Sequence, residues 1–384
     1  MDMGTTPDRR SHYGPLLTLA ALACIASLAT VALAVERSSY GPPLSAAETL
    51  RSGVTPKGLA RRPESEPGAA DDAPAPVTPS AIPAPVVGPA TARPADRAPA
   101  HPLLPDALAQ LDDELLASPM LHHPPFAEEV ERWVQRWRGG FSEWVPTYLS
   151  RMTAFEPLVD EALLERDLPW SLRYLPVIES GYSPSAVSSA EAVGLWQFMS
   201  ATASDFGIEV GPLVDDRRDP FVSTEAAADY LARLRDDFDS WFLALAAYNA
   251  GPDRINGLIE RYLPDAERSD AVYWALRDVL PEETRNFVPN LLGAIIVASD
   301  PGAHGYDPPE RTDFVFDQVA VRGVIDFETA ARAARTTRAE IARLNPEYIR
   351  GRTPPGRQVE LRLPPGSEAA FRSYFSSSDS RPDR

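Results

Sequence analysis

The chain of 384 residues has little of what several kinds of site require. Its one cysteine, Cys24, excludes a disulfide within the chain and a cysteine-based metal site. The five histidines are scattered, and the pair His122-His123 lies beside Pro124-Pro125, which indicates a loop. We therefore expect neither a bound metal ion nor another cofactor.

Positive charge is also scarce. The chain has 37 Lys and Arg against 55 Asp and Glu, which gives a formal net charge of −18. A nucleic acid is bound through a basic surface, so the composition argues against a nucleic-acid partner.

Proline is abundant, with 40 residues in the chain. Fifteen of them fall between Pro42 and Pro105, where large apolar side chains are few. Such a segment cannot bury enough apolar surface to fold. We predict that residues 36–105 are a disordered, partly extended Pro/Ala-rich linker without a specific partner.

Residues 16–35 form a run of twenty residues without a charge, preceded by Arg9 and Arg10. This length is enough for a helix to cross a bilayer, and the two arginines favour a cytoplasmic N-terminus. We predict that residues 1–35 are a signal or transmembrane anchor, with residues 16–35 in the membrane.

Three fates of this segment stay open. It is an uncleaved anchor, a signal cleaved at Ala32-Leu33-Ala34, or a lipoprotein signal at Cys24, although Ala21-Leu22-Ala23 matches a lipoprotein box poorly. All three export the rest of the chain, so we expect a location in the cell envelope on the periplasmic side. We also expect it to be anchored to a membrane, as the uncleaved anchor and the lipoprotein would be.

Apolar residues repeat at helical spacing between residues 126 and 299, and no strand pattern interrupts them. Separate helices are predicted to begin near Trp144 and near Leu158. We divide the region into a helical N-terminal part, residues 106–167, and a helical domain, residues 168–300. Further helices are predicted at residues 130–137, 224–238, 239–250 and 287–298.

The pattern changes after a loose segment at residues 300–312. Residues 313–375 show a strand, two short helices and a second strand, which indicates a small α+β module. The module has ten arginines and eight acidic residues, so its net charge of about +2 differs in sign from that of the rest of the chain. Residues 376–384 are predicted to be a polar tail. The fold class is therefore mainly α with a small α+β module.

Glu179 is a candidate acid. It follows an apolar run with Leu172, Leu175 and Ile178, and Gly181 is expected to end the helix there. One helix is predicted from Pro169, with a kink at Pro176. A carboxyl at a helix C-terminus among apolar neighbours ionises less readily, which suits a general acid. A solvated glutamate at a helix end is the alternative.

Four stretches occur in order: YLPVIESGYSP, AVGLWQFM, LALAAYNAGPDRI and PEETRNFVPNLL. Together they resemble the soluble lytic transglycosylase family, and most closely its membrane-bound type D subgroup. The resemblance covers residues 168–298 and implies a lysozyme-like helical catalytic domain. It implies that Glu179 is the single catalytic acid. The substrate-binding positions that it implies are Ser180, Gly194, Trp196, Gln197, Tyr248, Asn249 and Phe287.

The implied reaction is cleavage of peptidoglycan glycan strands between N-acetylmuramic acid and N-acetylglucosamine without water. Glu179 would act first as an acid and then as a base, leaving a 1,6-anhydro sugar. The net negative charge would not attract an anionic wall, so stacking and hydrogen bonds would have to bind the glycan. The rings considered for stacking are Trp196, Tyr182, Phe198 and Tyr248, with a place in the core as the alternative for Trp196 and Phe198.

Ordinary glycosidases position two carboxylates. Glu191 and Asp205 are expected to be solvated, and Glu283 is expected to be structural, paired with an arginine. None of the three is a strong second catalyst, which favours the transglycosylase over the alternative of a hydrolytic muramidase.

Two departures from the family pattern leave a further alternative open, a non-catalytic scaffold that binds the wall. Phe287 replaces a tyrosine, which removes a hydroxyl but keeps a ring. The 313–375 module resembles a divergent LysM domain through Leu344-Asn345-Pro346 and VELRLPPG, yet its opening, RGVIDFETAA, lacks the usual Gly-Asp-Thr. Sugar binding and a packing role both stay open for the module. Protein partners are unknown.

Overall fold

The computed structural model of the chain describes residue 104, residues 106–109 and residues 113–378. The anchor predicted at residues 1–35 lies outside these residues, as does nearly all of the predicted linker at 36–105, so both stay predictions. Among the residues that are described, no helix has both the length and the apolar character that a membrane span requires.

Helices build the described chain up to residue 299. The α-helices are α1 Asp106–Ala109, α2 Pro124–Arg138, α3 Val145–Leu164, α4 Leu175–Ser180, α5 Ser200–Asp205, α6 Pro220–Phe238, α7 Trp241–Ala250, α8 Pro252–Tyr262, α9 Asp270–Ala275 and α10 Glu282–Ser299. Short 3₁₀ helices lie at Pro119–His122, Trp170–Tyr174, Asp216–Arg218 and Gly302–His304.

The prediction of separate helices from Trp144 and from Leu158 is wrong, because α3 runs through both with Pro157 inside it. A proline within a helix removes one hydrogen bond and favours a break. Here the two halves bury one continuous apolar face that includes Leu149, Phe155 and Leu163. This burial outweighs the lost hydrogen bond. Helices α5, α8 and α9 were not predicted.

Helix α7 is the centre of the helical part. All seven residues from Trp241 to Ala247 are buried, because α6, α8, α9 and α10 pack around the helix. A helix that is apolar on every side is stable only in such a position. The hydroxyl of Ser240 caps its first turn by accepting from the Leu243 N–H at 3.2 Å. Its C-terminal turn carries Tyr248 and Asn249 to the region of Glu179.

The C-terminal module is a two-stranded antiparallel sheet with three helices. Strands β1 Asp317–Arg322 and β2 Gln358–Leu363 pair with Val319 opposite Leu361. The helices are α11 Phe327–Ala334, α12 Arg338–Leu344 and α13 Glu368–Ser378.

The predicted order of strand, helix, helix and strand is confirmed by this module, and so is the fold class, mainly α with a small α+β module. Helix α13 was not predicted, because its serine-rich end resembles a tail. Its Phe371 nevertheless packs into the core of the module.

Gly293 sets the distance between α10 and α2. A Cβ at this position would lie 2.9 Å from the Cβ of Trp133 and 3.1 Å from its backbone carbonyl carbon. In an ordinary helix, Gly→Ala stabilises by about 0.5–1 kcal/mol, whereas overpacking costs about 1–3 kcal/mol. The middles of these two ranges differ by about 1 kcal/mol, so we expect Gly293→Ala to lower the free energy of unfolding by about 1 kcal/mol, as measured by chemical denaturation.

Gly257→Ala is the matched control. Gly257 also lies within a helix, α8, but a Cβ there would meet no atom within 4 Å. This variant should be more stable than the wild type by up to about 1 kcal/mol. If both substitutions stabilise the protein, a Cβ fits between α10 and α2 at position 293 and the close contact there is wrong.

Candidate active site

The segment before Glu179 forms two short helices rather than the single kinked helix that the sequence predicts. Trp170–Tyr174 is a 3₁₀ helix that follows Pro169, and α4 begins at Leu175 with Pro176 in its first turn. A proline has no N–H to donate, so it fits a first turn, where that N–H would have no helical partner. The helix therefore restarts at Leu175 instead of bending at Pro176.

The end of α4 agrees with the prediction. Gly181 has a φ of 58° and its N–H donates to the carbonyl of Val177 at 3.2 Å. A Cβ at Gly181 would lie 2.3 Å from the ring of Tyr148, so the position has no room for a side chain. Glu179 thus lies in the last turn of a short helix that begins with Pro176 in its first turn and ends at Gly181, against the ring of Tyr148.

Glu179 is half-buried. Burial raises its pKa from the ordinary value of 4.5 to about 8, and the negative charge of Glu283 adds to this rise. Burial favours the neutral form because an ionised carboxylate loses hydration. The direction is the one expected from the sequence, and the carboxyl is largely protonated at neutral pH.

Ser180, expected among the substrate-binding residues, is directed into the protein. It is 2% exposed, and its hydroxyl donates to the carbonyl of Leu195 at 2.8 Å. The same oxygen accepts from the N–H of Ser183. A ligand has no access to this hydroxyl, and its effect is to hold α4 against the 191–198 loop.

The 191–198 loop contains Gly194 and Gln197. Gly194 has a φ of 87°, and a Cβ there would lie 1.8 Å from the carbonyl oxygen of Arg217. The position accepts only glycine, because the obstructing atom belongs to the backbone. Gln197 is half-buried with a φ of 51°, and its side-chain amide donates to the carbonyl of Gly194 at 2.9 Å.

The expectation that Trp196 offers its ring to a sugar is wrong. The ring is 1% exposed, and its Nε1 donates to the hydroxyl of Thr224 at 2.9 Å. Tyr182, Phe198 and Phe287 are also core residues. The exposed stacking surface expected of these rings is absent.

Tyr248 and Asn249 lie at the end of α7, both half-buried. The hydroxyl of Tyr248 donates to the carbonyl of Trp196 at 2.7 Å. Burial raises the pKa of Tyr248 well above its usual value, and the charge of Glu179 adds to the rise. The hydroxyl therefore stays a donor, and it fastens the 191–198 loop to α7 beside Glu179.

Glu283 pairs with Asn249, so the expected arginine partner is wrong. The Asn249 amide nitrogen donates to a Glu283 carboxylate oxygen at 3.1 Å, and its amide oxygen accepts from the hydroxyl of Thr284 at 2.8 Å. Glu283 is exposed, as are Glu191 and Asp205.

Arg217 was not anticipated. It is 6% exposed and donates to the carbonyls of Glu191 and Phe198, both at 3.1 Å. The sequence around it reads DDRRDP, and nothing in that run marks which charge is buried.

Within the described residues, no group of three or more His, Cys, Asp or Glu side chains is placed to hold a metal ion.

Two family models match the chain. A transglycosylase SLT domain matches residues 158–265, and the LysM-like domain of lytic transglycosylase MltD matches residues 315–379.

Curated relatives match over part of their lengths. Membrane-bound lytic murein transglycosylase D of Escherichia coli (strain K12) is 34% identical over 146 residues. These residues are 38% of this chain and 31% of that protein, so the chain spans about a third of the relative's length. Peptidoglycan transglycosylase gp16 of Escherichia phage T7 is 38% identical over 125 residues, which are 32% of this chain and 9% of that one.

Solved structures also show similarity. An inactive mutant of the lytic transglycosylase Slt of Pseudomonas aeruginosa has a TM-score of 0.34 and 24% identity, covering 53% of this chain and 32% of that one. The 70 kDa soluble lytic transglycosylase of Escherichia coli has a TM-score of 0.33 and 27% identity, covering 40% and 25%. On the evidence of the family models, residues 158–265 belong to the transglycosylase SLT domain family, and residues 315–379 belong to the LysM-like domain family of lytic transglycosylase MltD.

Proposed function

We propose that this protein is a lytic transglycosylase that cleaves the β-1,4 bond between N-acetylmuramic acid and N-acetylglucosamine in peptidoglycan. The SLT domain and the similarity to membrane-bound lytic murein transglycosylase D support this activity. The observation that carries the proposal is the half-buried position of Glu179 at the end of α4, where a pKa of about 8 keeps its carboxyl protonated at neutral pH.

Glu179 supplies both proton transfers. Its protonated carboxyl gives a proton to the oxygen of the glycosidic bond, which breaks. The N-acetyl group of the substrate stabilises the positive charge at the sugar carbon. The carboxylate of Glu179 then takes the proton of the C6 hydroxyl as that oxygen bonds to C1. The product is a 1,6-anhydro sugar, and no water is consumed.

The polar side chains around Glu179 suit an acetamido sugar. The half-buried amides of Gln197 and Asn249 can pair with acetamide groups, and Tyr248 holds the intervening loop. We assign Ser180, Gly194, Trp196 and Phe287 to the frame of this site, because each is buried.

The rest of the chain suits an envelope enzyme. We assign residues 1–35 to a membrane anchor, 36–105 to a linker, 106–167 to the helical N-terminal part and 168–300 to the catalytic domain, 313–375 to the LysM-like module and 376–384 to the tail. The linker would let the catalytic domain reach periplasmic glycan strands.

A hydrolytic muramidase is the second candidate, and Glu283 favours it. The charge of this residue raises the pKa of Glu179, so the two carboxyls are near enough to interact. A hydrolase uses a second carboxylate to activate water. Glu283 is exposed and bonded to Asn249, an arrangement that suits an electrostatic neighbour better than a base.

Product analysis separates these functions. The full-length chain, purified in detergent, is incubated with peptidoglycan and the products are weighed by mass spectrometry. We expect muropeptides lighter by one water than hydrolysed ones, and a loss of about 10²–10⁴-fold in rate for Glu179→Gln, as is typical for a general acid or base.

Glu282→Gln is the matched control for this experiment, because Glu282 is exposed on α10 and should leave the rate unchanged. Products with a free reducing end would replace the proposal with the muramidase. No products from the wild type, together with retention on the wall, would indicate a scaffold.

The pH dependence of the rate tests the effect of Glu283. Since a general acid must be protonated, activity should fall as the pH rises through about 8. Removing a nearby negative charge makes ionisation easier and lowers a carboxyl pKa. In Glu283→Gln the alkaline decline should therefore move to lower pH, whereas in Glu282→Gln it should stay in place. If the pH–rate profiles of the wild type, Glu283→Gln and Glu282→Gln coincide, the charge of Glu283 does not raise the pKa of the catalytic group.

Stability tests the same pKa without any substrate. The folded protein holds a proton on Glu179 up to about pH 8, whereas the unfolded chain releases it near 4.5. The contribution of Glu179 to the free energy of unfolding is then fully present below about pH 4.5 and is lost as the pH rises toward about 8. Glu179→Gln cannot ionise, so its melting temperature should exceed that of the wild type by a margin that grows between pH 5 and 8. A margin that does not change with pH would refute the raised pKa.

A further inference from the structure

The C-terminal module is fastened to the helical domain by buried charges. Arg362 of β2 is 9% exposed and donates to the carboxylate of Asp219 at 2.5 Å, while Glu347 lies 3.4 Å away. The guanidinium also lies over the rings of Phe221 and Phe316, at 4.9 and 5.4 Å from their centres. Removal of one partner would leave a buried charge unpaired, which is costly and therefore favours the docked arrangement.

The module holds both ends of a short segment, residues 214–219. At the start, Val214 packs into the core of the module, and the N–H of Asp215 donates to the backbone carbonyl of Glu347 at 3.0 Å. At the end, Asp219 accepts from Arg362 and caps α6 by accepting from the Phe221 N–H at 2.8 Å.

The middle of the 214–219 segment holds the 191–198 loop. Arg217 and Asp215 form a buried bidentate pair at 2.8 and 2.9 Å, which fixes the guanidinium. The other guanidinium nitrogen donates to the carbonyls of Glu191 and Phe198, and the Arg217 carbonyl fills the space beside Gly194. One arginine therefore contacts the start, the middle and the end of the loop.

The loop in turn borders the candidate acid. Its Leu195 carbonyl accepts from Ser180, the residue after Glu179, and its Trp196 carbonyl accepts from Tyr248. Buried and part-buried hydrogen bonds, joined by the backbone of the 214–219 segment and of the loop, thus connect β2 of the module to the helix end that carries Glu179.

We infer that Arg362 is a positioning residue, and that docking of the LysM-like module keeps the 191–198 loop in the shape that surrounds Glu179. The module then acts on the reaction without touching the substrate. The catalytic consequence rests on the proposed function, whereas the effect on the shape of the loop does not. A module that serves only as a separate sugar-binding unit would leave the loop independent of Arg362.

Hydrogen–deuterium exchange on the full-length chain in detergent tests the structural part. In Arg362→Met the amides of residues 191–198 should exchange about tenfold faster than in the wild type, because the segment that holds the loop loses one anchor. Arg362→Lys keeps the charge but not the planar fork, and it should give a smaller increase.

Arg357→Met is the matched control. Arg357 lies at the same interface and pairs with Glu209 at 2.7 Å, but both side chains are exposed. The substitution removes an arginine from the same contact without touching the buried contacts, so exchange in residues 191–198 should match the wild type.

Kinetics on peptidoglycan test the catalytic part, at a temperature well below the melting transition of each variant. Arg362→Met should lower kcat by about 10- to 100-fold, since displacements of about 1 Å are that costly. KM should change by less than kcat does, because Arg362 does not touch the substrate and only one of the two amides assigned to the sugar, that of Gln197, lies in the loop. Arg362→Lys should recover part of kcat, and it carries the test if the Met variant does not fold.

The outcomes separate the two proposals. Unchanged exchange in residues 191–198 of the Arg362 variants, or equal changes in Arg357→Met, would overturn the positioning role. A wild type without anhydro products would overturn the proposed function, while the exchange comparison would still decide whether Arg362 positions the loop.

Discussion

A carboxyl that stays protonated at neutral pH has to be shielded from water, and the surroundings of Glu179 satisfy this condition. Burial raises its pKa more than the charge of Glu283 does. Shielding of this kind lasts only if the surrounding backbone cannot move away. The helix end is therefore fixed by Ser180 against Leu195 and by Gly181 against the ring of Tyr148. These contacts hold the helix end against the 191–198 loop and against α3.

The sequence predicted the helical class, the order of elements in the module and the position of Glu179, because these follow from periodicity and from helix-ending glycine. It misjudged α3, since no local pattern shows that Leu149 and Leu163 bury one face across Pro157. It also assigned Trp196 and Phe287 to the substrate. The sequence pattern of an aromatic ring beside polar motif residues is the same whether the ring faces a ligand or the core. Only the packing in the structure distinguishes the two.

The partners of charged groups were the least predictable part. Glu283 was expected to pair with an arginine and pairs with Asn249, which lies 34 residues earlier. Arg217 and Arg218 are neighbours of the same type, yet only Arg217 is buried. Such choices depend on which backbone carbonyls the fold brings near, and this information is not local in the sequence.

The close contact at Gly293 has a consequence for modularity. Helix α10 lies beyond the end of the SLT match at residue 265, and α2 precedes its start at residue 158. The two helices nevertheless pack together without room for a single methyl group between them. The unit that packs together is thus wider than the segment that matches the SLT domain. A segment cut at the limits of the match would lack α10, one of the helices that cover α7. Part of the seven buried residues of α7 would then be exposed to water.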